Sequence, residues 1–243
     1  MPPPRPILPV PLTRFAAALA IFATIVCAYI ALVAAAATAG DDPDAPLPAA
    51  DLATGPCTLW FVGSSTIAGW TGLDRDFAPW DVHNRGVNAA LLPAITRRFD
   101  RSGPGIPAAI IVYAGENDIA AGASAAKALV AFERFMATKT RRYGRLPVVA
   151  IALKPGPARW HDRPRQTKFN TLLERLAARR ADLSFVDIRP LMLAGDRPGP
   201  FYIADGIHMN ARGYARWTPL VRRAVRATLA ASRLRQCDAR TSA

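Results

Sequence analysis

Histidine and cysteine are both scarce: the 243-residue chain has three of each. His83, His161 and His208 are scattered, and no Cys/His cluster accompanies them, so the sequence offers no ligand set for a metal. Acidic residues are also few, 18 against 31 basic, which leaves a net charge of +13. The excess is mostly arginine, spread through helical patterns rather than gathered in one run. No helix-turn-helix, zinc-finger or RNA-binding signature goes with it, which argues against a nucleic-acid partner. Solvated helix faces, with a generic attraction to anionic surfaces, are the simpler reading. No Gly-Lys-Ser/Thr follows a glycine turn, so a phosphate loop is excluded. No internal repeat appears, and the length suits one sizeable domain.

Charge is missing altogether from residues 15–38. As a helix these would extend about 36 Å, enough to cross a hydrocarbon core of about 30 Å. Arg5 and Arg14 precede the run and Asp41, Asp42 and Asp44 follow it, the polarity that keeps the leading end in the cytoplasm. Its length favours a retained anchor. Ala37-Thr38-Ala39 is nevertheless a good signal-peptide cleavage site. Residues 1–39 thus read as a signal peptide or N-terminal membrane anchor, and the rest as exported to the periplasm or another extracytoplasmic space. An uncleaved helix would make the membrane a partner. Residues 40–56, rich in Asp, Pro and Ala, read as a linker. In an oxidising compartment Cys57 and Cys237 are expected to pair. The alternative is two unpaired, partly buried thiols.

From residue 57 onward, short apolar runs alternate with helical stripes. Cys57–Gly63, Asp81–Asn84, Ala108–Ala114, Leu146–Leu153 and Leu183–Ile188 have strand character, several of them apolar on both faces. Leu129, Phe132 and Met136 share one helical face, as do Phe169, Leu172, Leu173 and Leu176. Tyr214, Trp217, Val221, Ala224 and Val225 form a third stripe. This alternation predicts a three-layer α/β domain on a parallel sheet, with chemistry at the carboxyl ends of its strands.

Four of those ends carry reactive or polar residues. Gly63-Ser64-Ser65 is a serine turn, although an ordinary helix N-cap would look the same. Gly86 could bring a backbone N–H close to a ligand, or be a plain turn glycine. Asn117 could donate an amide N–H to an oxyanion, while Asp118 reads as a cap for the helix that follows. In Asp205-Gly206-Ile207-His208 a carboxylate can fold back onto the imidazole and leave Nε2 free to accept a proton. Each signal alone is weak. The ordered set supplies a nucleophile (Ser65), a base (His208), its orienter (Asp205) and oxyanion donors from Ser65, Gly86 and Asn117.

That set resembles the SGNH hydrolase superfamily, the GDSL-type lipases and esterases. Gly63-Ser64-Ser65 stands where Gly-Asp-Ser is usual, Gly86 matches the second block, Gly115-Glu116-Asn117-Asp118 the third, and Asp205-Gly206-Ile207-His208 the last. Lys154-Pro155-Gly156-Pro157-Ala158-Arg159-Trp160 looks like a loop of a bacterial Gly-Ser-Ser branch. The resemblance implies a flavodoxin-like sheet of order 2-1-3-4-5 over residues 57–236, preceded by the N-terminal hydrophobic helix and followed by a tail at 237–243. It implies a shallow open site and metal-free, cofactor-free cleavage of esters, small-molecule, glycan or lipid. Val87-Asn88-Ala89-Ala90 replaces the usual further glycines and implies a narrower groove. The last helix would run antiparallel to the strands and bring Cys237 towards Cys57. A carboxylic ester hydrolase with short-acyl preference is the leading expectation. An O-acetyltransferase or deacetylase on envelope polysaccharide, or an inactive tethered binding module, are the alternatives.

Overall fold

A computed structural model describes residues 45–239; the uncharged run at 15–38 and the candidate cleavage site lie outside the described residues. Among the described residues no helix is long and apolar enough to cross a membrane.

Five parallel strands form one sheet: β1 (Thr58–Gly63), β2 (Asp81–Gly86), β3 (Ala109–Tyr113), β4 (Val148–Ile151) and β5 (Leu183–Val186). Their order is β2-β1-β3-β4-β5, as the resemblance implies. Every residue of β1, β3 and β4 is buried, which is why these strands read as unbroken apolar runs. The helices are α1 (Ser65–Ala68), α2 (Leu73–Phe77), α3 (Leu92–Asp100), α4 (Glu116–Ala120), α5 (Ala125–Tyr143), α6 (Arg163–Ala177), α7 (Ala211–Thr228) and α8 (Ala231–Asp238).

Neighbouring residues of one strand show how the layers divide, because successive side chains leave opposite faces of a sheet. Trp60 meets Phe99 of α3 and Tyr143 of α5 edge-on. Phe61 meets Phe77 of α2 and Trp70, and Trp70 in turn packs on Tyr214 and Trp217 of α7. Helices α3 and α5 therefore cover one face and α2 and α7 the other. The three stripes seen in the sequence fall in α5, α6 and α7.

The differences from expectation lie mostly outside the sheet. Residues 45–56 contain no helix or strand, but they are packed: Leu47 is buried, and the Ala49 carbonyl accepts a 3.0 Å hydrogen bond from Arg85. The packed unit accordingly extends upstream of Cys57 to the first of the described residues. Arg85 itself is a buried arginine within a strand, its guanidinium 3.7 Å from the Trp60 ring centroid. Asp118 does not cap the helix that follows it. Its carboxylate accepts the Leu92 N–H at 3.0 and 3.2 Å and so caps the start of α3. A small hairpin, β6 (Leu193–Ala194) with β7 (Arg197–Pro198), is too short to leave a period in the sequence. Cys237 belongs not to α7 but to the separate α8, where it forms a disulfide with Cys57, their Cα atoms 5.5 Å apart.

Candidate active site

Two segments distant in sequence meet at the carboxyl end of β1. Ser65 opens α1 directly after the strand, so its side chain and its unpaired first-turn N–H both face that end of the sheet. His208 Nε2 lies 2.8 Å from Ser65 Oγ. His208 Nδ1 lies 2.5 Å from Asp205 Oδ2, and Asp205 Oδ1 accepts the backbone N–H groups of Ile207 and His208 at 2.8 and 2.9 Å. The turn closes through Gly206, whose φ of +65° suits glycine. Asn210, just beyond, caps α7 by accepting the Gly213 N–H at 3.1 Å.

The partners settle the tautomer. Nδ1 faces a carboxylate that can only accept, so it carries the proton and Nε2 is left to take one from Ser65. Burial works against ionisation of Asp205, but the hydrogen bonds from the His208 ring and from the Ile207 and His208 backbone outweigh it and bring the carboxyl down to about 2. It remains an anion at neutral pH.

Ser64 is buried, and its N–H goes to the Tyr113 carbonyl at 3.1 Å. Of the two adjacent serines, only Ser65 touches the imidazole.

Gly86 does not take the place expected of it. Its N–H donates to Asn84 Oδ1 at 3.0 Å, so it is occupied within the fold. A Cβ there would sit 2.1 Å from the Ala68 nitrogen, so the glycine serves the packing of β2 against α1. Ala89, three residues on, lines the cleft instead, with a left-handed φ of +55°. Among the described residues no acceptor takes its N–H. Asn117 also lines the cleft; one of its amide N–H groups donates to the Ala90 carbonyl at 3.1 Å, and among the described residues the second has no acceptor. The cleft is open, about 530 Å³, with Leu91, Ala121 and Ile207 as its apolar side and Arg159 as its cation. Another cavity of about 350 Å³, beside Leu153, Gln166 and Arg189, contains neither Ser65 nor His208.

Residues 61–216 match the model of the GDSL-like lipase/acylhydrolase family, well over half of the chain. The chain belongs to this family. Membership makes it a hydrolase of the esterase kind. No curated protein matches the sequence. Solved structures do match in fold. A GDSL-like lipase from Bacteroides thetaiotaomicron is 21% identical, with a TM-score of 0.65 over 74% of this chain and 94% of its own. A lipase/acylhydrolase from Enterococcus faecalis is 20% identical, with a TM-score of 0.58 over 71% and 97%. A carbohydrate esterase family 3 protein from Talaromyces cellulolyticus is 13% identical, with a TM-score of 0.56 over 70% and 97%.

Beneath the cleft of this GDSL-family chain is a charged cluster that sequence reasoning did not assign. Lys154 and Glu116 are both buried and paired. The Lys154 ammonium also reaches Tyr113 Oη at 3.2 Å and Thr66 Oγ1 at 3.1 Å, tying the residue after Ser65 to the ends of β3 and β4. Burial lowers the Lys154 pKa, Glu116 opposes that shift, and the Tyr113 hydroxyl is pushed up by burial and by Glu116. The signal available in the sequence was Lys154 and Glu116 themselves, each a charge directly beyond a buried apolar strand.

Proposed function

We propose that the chain hydrolyses carboxylic esters, with short acyl groups preferred, through an acyl-enzyme on Ser65. The observation that carries this reading is the unbroken relay from Asp205 through His208 to Ser65, opening into a cleft. As Ser65 Oγ bonds to the ester carbonyl carbon, its proton passes to His208 Nε2 and the carbonyl π electrons move to oxygen. Asp205 stabilises the imidazolium. The N–H groups of Ser65 and Ala89 and the free Asn117 amide N–H are the donors for the oxyanion, Ala89 standing in the role first assigned to Gly86. Collapse of the intermediate breaks the ester C–O bond, and His208 returns its proton to the departing alkoxide. Water, giving a proton to His208, then attacks the acyl-enzyme and releases the acid and free Ser65.

An open cleft whose apolar side is Leu91, Ala121 and Ile207 gives a long chain little surface to bury against, which supports the short-acyl preference. The disulfide supports export to an oxidising compartment, as does the uncharged N-terminal run. The test is hydrolysis of p-nitrophenyl acetate by the full-length chain. Ser65→Ala should lose about 10⁴-fold or more in kcat, whereas Ser64→Ala should keep most activity. A fluorophosphonate probe should label Ser65. Undiminished turnover in Ser65→Ala would remove this mechanism.

A further inference from the structure

We propose that Arg159 is a positioning residue that orients and polarises the Asn117 amide for the oxyanion, an inference that rests on the ester-hydrolase reading above. The Asn117 side chain offers one carbonyl oxygen and two N–H groups. Arg159 Nη1 donates to Oδ1 at 2.8 Å, and one N–H donates to the Ala90 carbonyl at 3.1 Å. The remaining N–H is the one that can serve the cleft, which Asn117 lines together with Ser65 and His208.

Rotating the amide by half a turn would be opposed twice. Its NH₂ would face the guanidinium, donor against donor, and Oδ1 would face the Ala90 carbonyl, acceptor against acceptor. Arg159 thereby selects the one orientation that presents an N–H to the site. A cation bonded to Oδ1 also draws electron density from the amide and strengthens its N–H as a donor. That gain is greatest when the substrate oxygen becomes an anion, so it falls on the transition state rather than on the bound ester.

Arg159 is itself held in place. Glu116 Oε1 lies 3.7 Å from its Nη1 and has no hydrogen-bond partner among the described residues, while Oε2 of the same buried carboxylate is taken by Lys154 and Tyr113. The 3-10 turn that carries Arg159 (Pro157–Asp162) is joined to the base loop, where Ala158 N–H donates to the Gly206 carbonyl at 3.1 Å. One short turn thus links the oxyanion amide to the Asp205–His208 segment.

A double-mutant cycle with Asn117 tests this, read on p-nitrophenyl acetate and on its anionic hemisuccinate counterpart. Arg159→Met should lower kcat by about 10- to 100-fold on both esters, part of the ~10²–10³ expected for loss of the donor in Asn117→Ala. KM should stay within about threefold, because the interaction belongs to the transition state. Added to Asn117→Ala, Arg159→Met should cost no more than about a further twofold, since Arg159 acts through the amide. Arg159→Lys, whose ammonium can still donate to Oδ1, should recover part of kcat and stands in if the methionine variant does not fold. Multiplicative losses in the double variant would overturn the proposal. So would a defect confined to KM for the anionic ester, which would make Arg159 a substrate-binding cation. Fluorophosphonate labelling of Ser65 separates these failures from failure of the mechanism itself: intact labelling with additive losses counts against Arg159 alone.

Discussion

The Cβ that Gly86 lacks would fall 2.1 Å from the backbone nitrogen of Ala68 and 2.6 Å from its Cα. These are backbone atoms of the short helix that carries Ser65, so nothing there can rotate aside. Gly86→Ala should force α1 off β2 and displace the serine. Overpacking of this kind costs about 1–3 kcal/mol and more where the backbone must move. A lowered melting temperature together with depressed kcat is the expected result. Unchanged Tm and kcat in Gly86→Ala would mean that β2 and α1 do not pack this closely.

Ala89 predicts the opposite sign. A left-handed φ costs a non-glycine residue roughly 1–2 kcal/mol, partly offset by the extra chain entropy that glycine loses on folding. Ala89→Gly should therefore raise stability by up to about 1 kcal/mol, or about 2–4 °C in Tm for a domain of this size. Because the backbone N–H is kept, kcat should stay within about twofold. A fall in kcat of tenfold with raised stability would mean that the alanine methyl shapes the cleft.

The contrast between these two positions shows what the sequence could disclose. The strands were readable because β1, β3 and β4 are buried on both faces and so carry unbroken apolar runs, whereas their order came only with the family resemblance. Ser65, Asp205 and His208 were legible only as members of an ordered set of strand-end turns, since each short pattern alone fits an ordinary cap or turn. Gly86 was not, because a glycine announces permissiveness or close approach without saying which, and its neighbour Ala68 is distant in sequence. Ala89 gave no sign, since alanine rarely adopts the left-handed conformation it takes here inside the turn closed by the Ala90 N–H on the Val87 carbonyl. Lys154, Glu116 and Arg159 resemble surface charges until the fold pairs them. Arginine-rich composition hid Arg85 in the same way.

Asp205 sets a pH signature. Burial raises its pKa, but hydrogen bonds from the His208 ring and two backbone N–H groups bring it to about 2, below the ~3.9 of a free aspartate. The folded value is the lower one, so its contribution to stability is present above about pH 4 and is lost as pH falls towards 2. Two outcomes follow. The Asp205 carboxyl should add no steepening to the acid limb of log(kcat/KM) above about pH 4; an added unit of slope there would show it titrating in the working range. Asp205→Asn should lower kcat by about 10³–10⁴, and its Tm deficit against the parent chain should narrow between pH 6 and pH 3.

The disulfide should matter for stability and not for turnover. Cys57 precedes β1 and Ser65 follows it, so the bridge and the nucleophile stand at opposite ends of the strand, roughly 20 Å apart at 3.3 Å per residue. Helix α8 has eight residues, too few to persist alone in water. Its Arg226–Asp238 ion pair is more than two-fifths exposed on both sides and contributes little. The buried Cys237 is its covalent tie, closing a loop of 180 residues whose cross-link restricts the unfolded chain by up to about 5 kcal/mol. Replacing both cysteines with serine should lower Tm and speed hydrogen exchange across residues 231–239, while kcat at 25 °C stays within about twofold. Without reductant, iodoacetamide should leave Cys57 and Cys237 unmodified in the unfolded chain. Modification of both thiols there would mean that the bridge does not form, and a large loss of kcat in the serine pair would mean that the two ends of β1 are coupled.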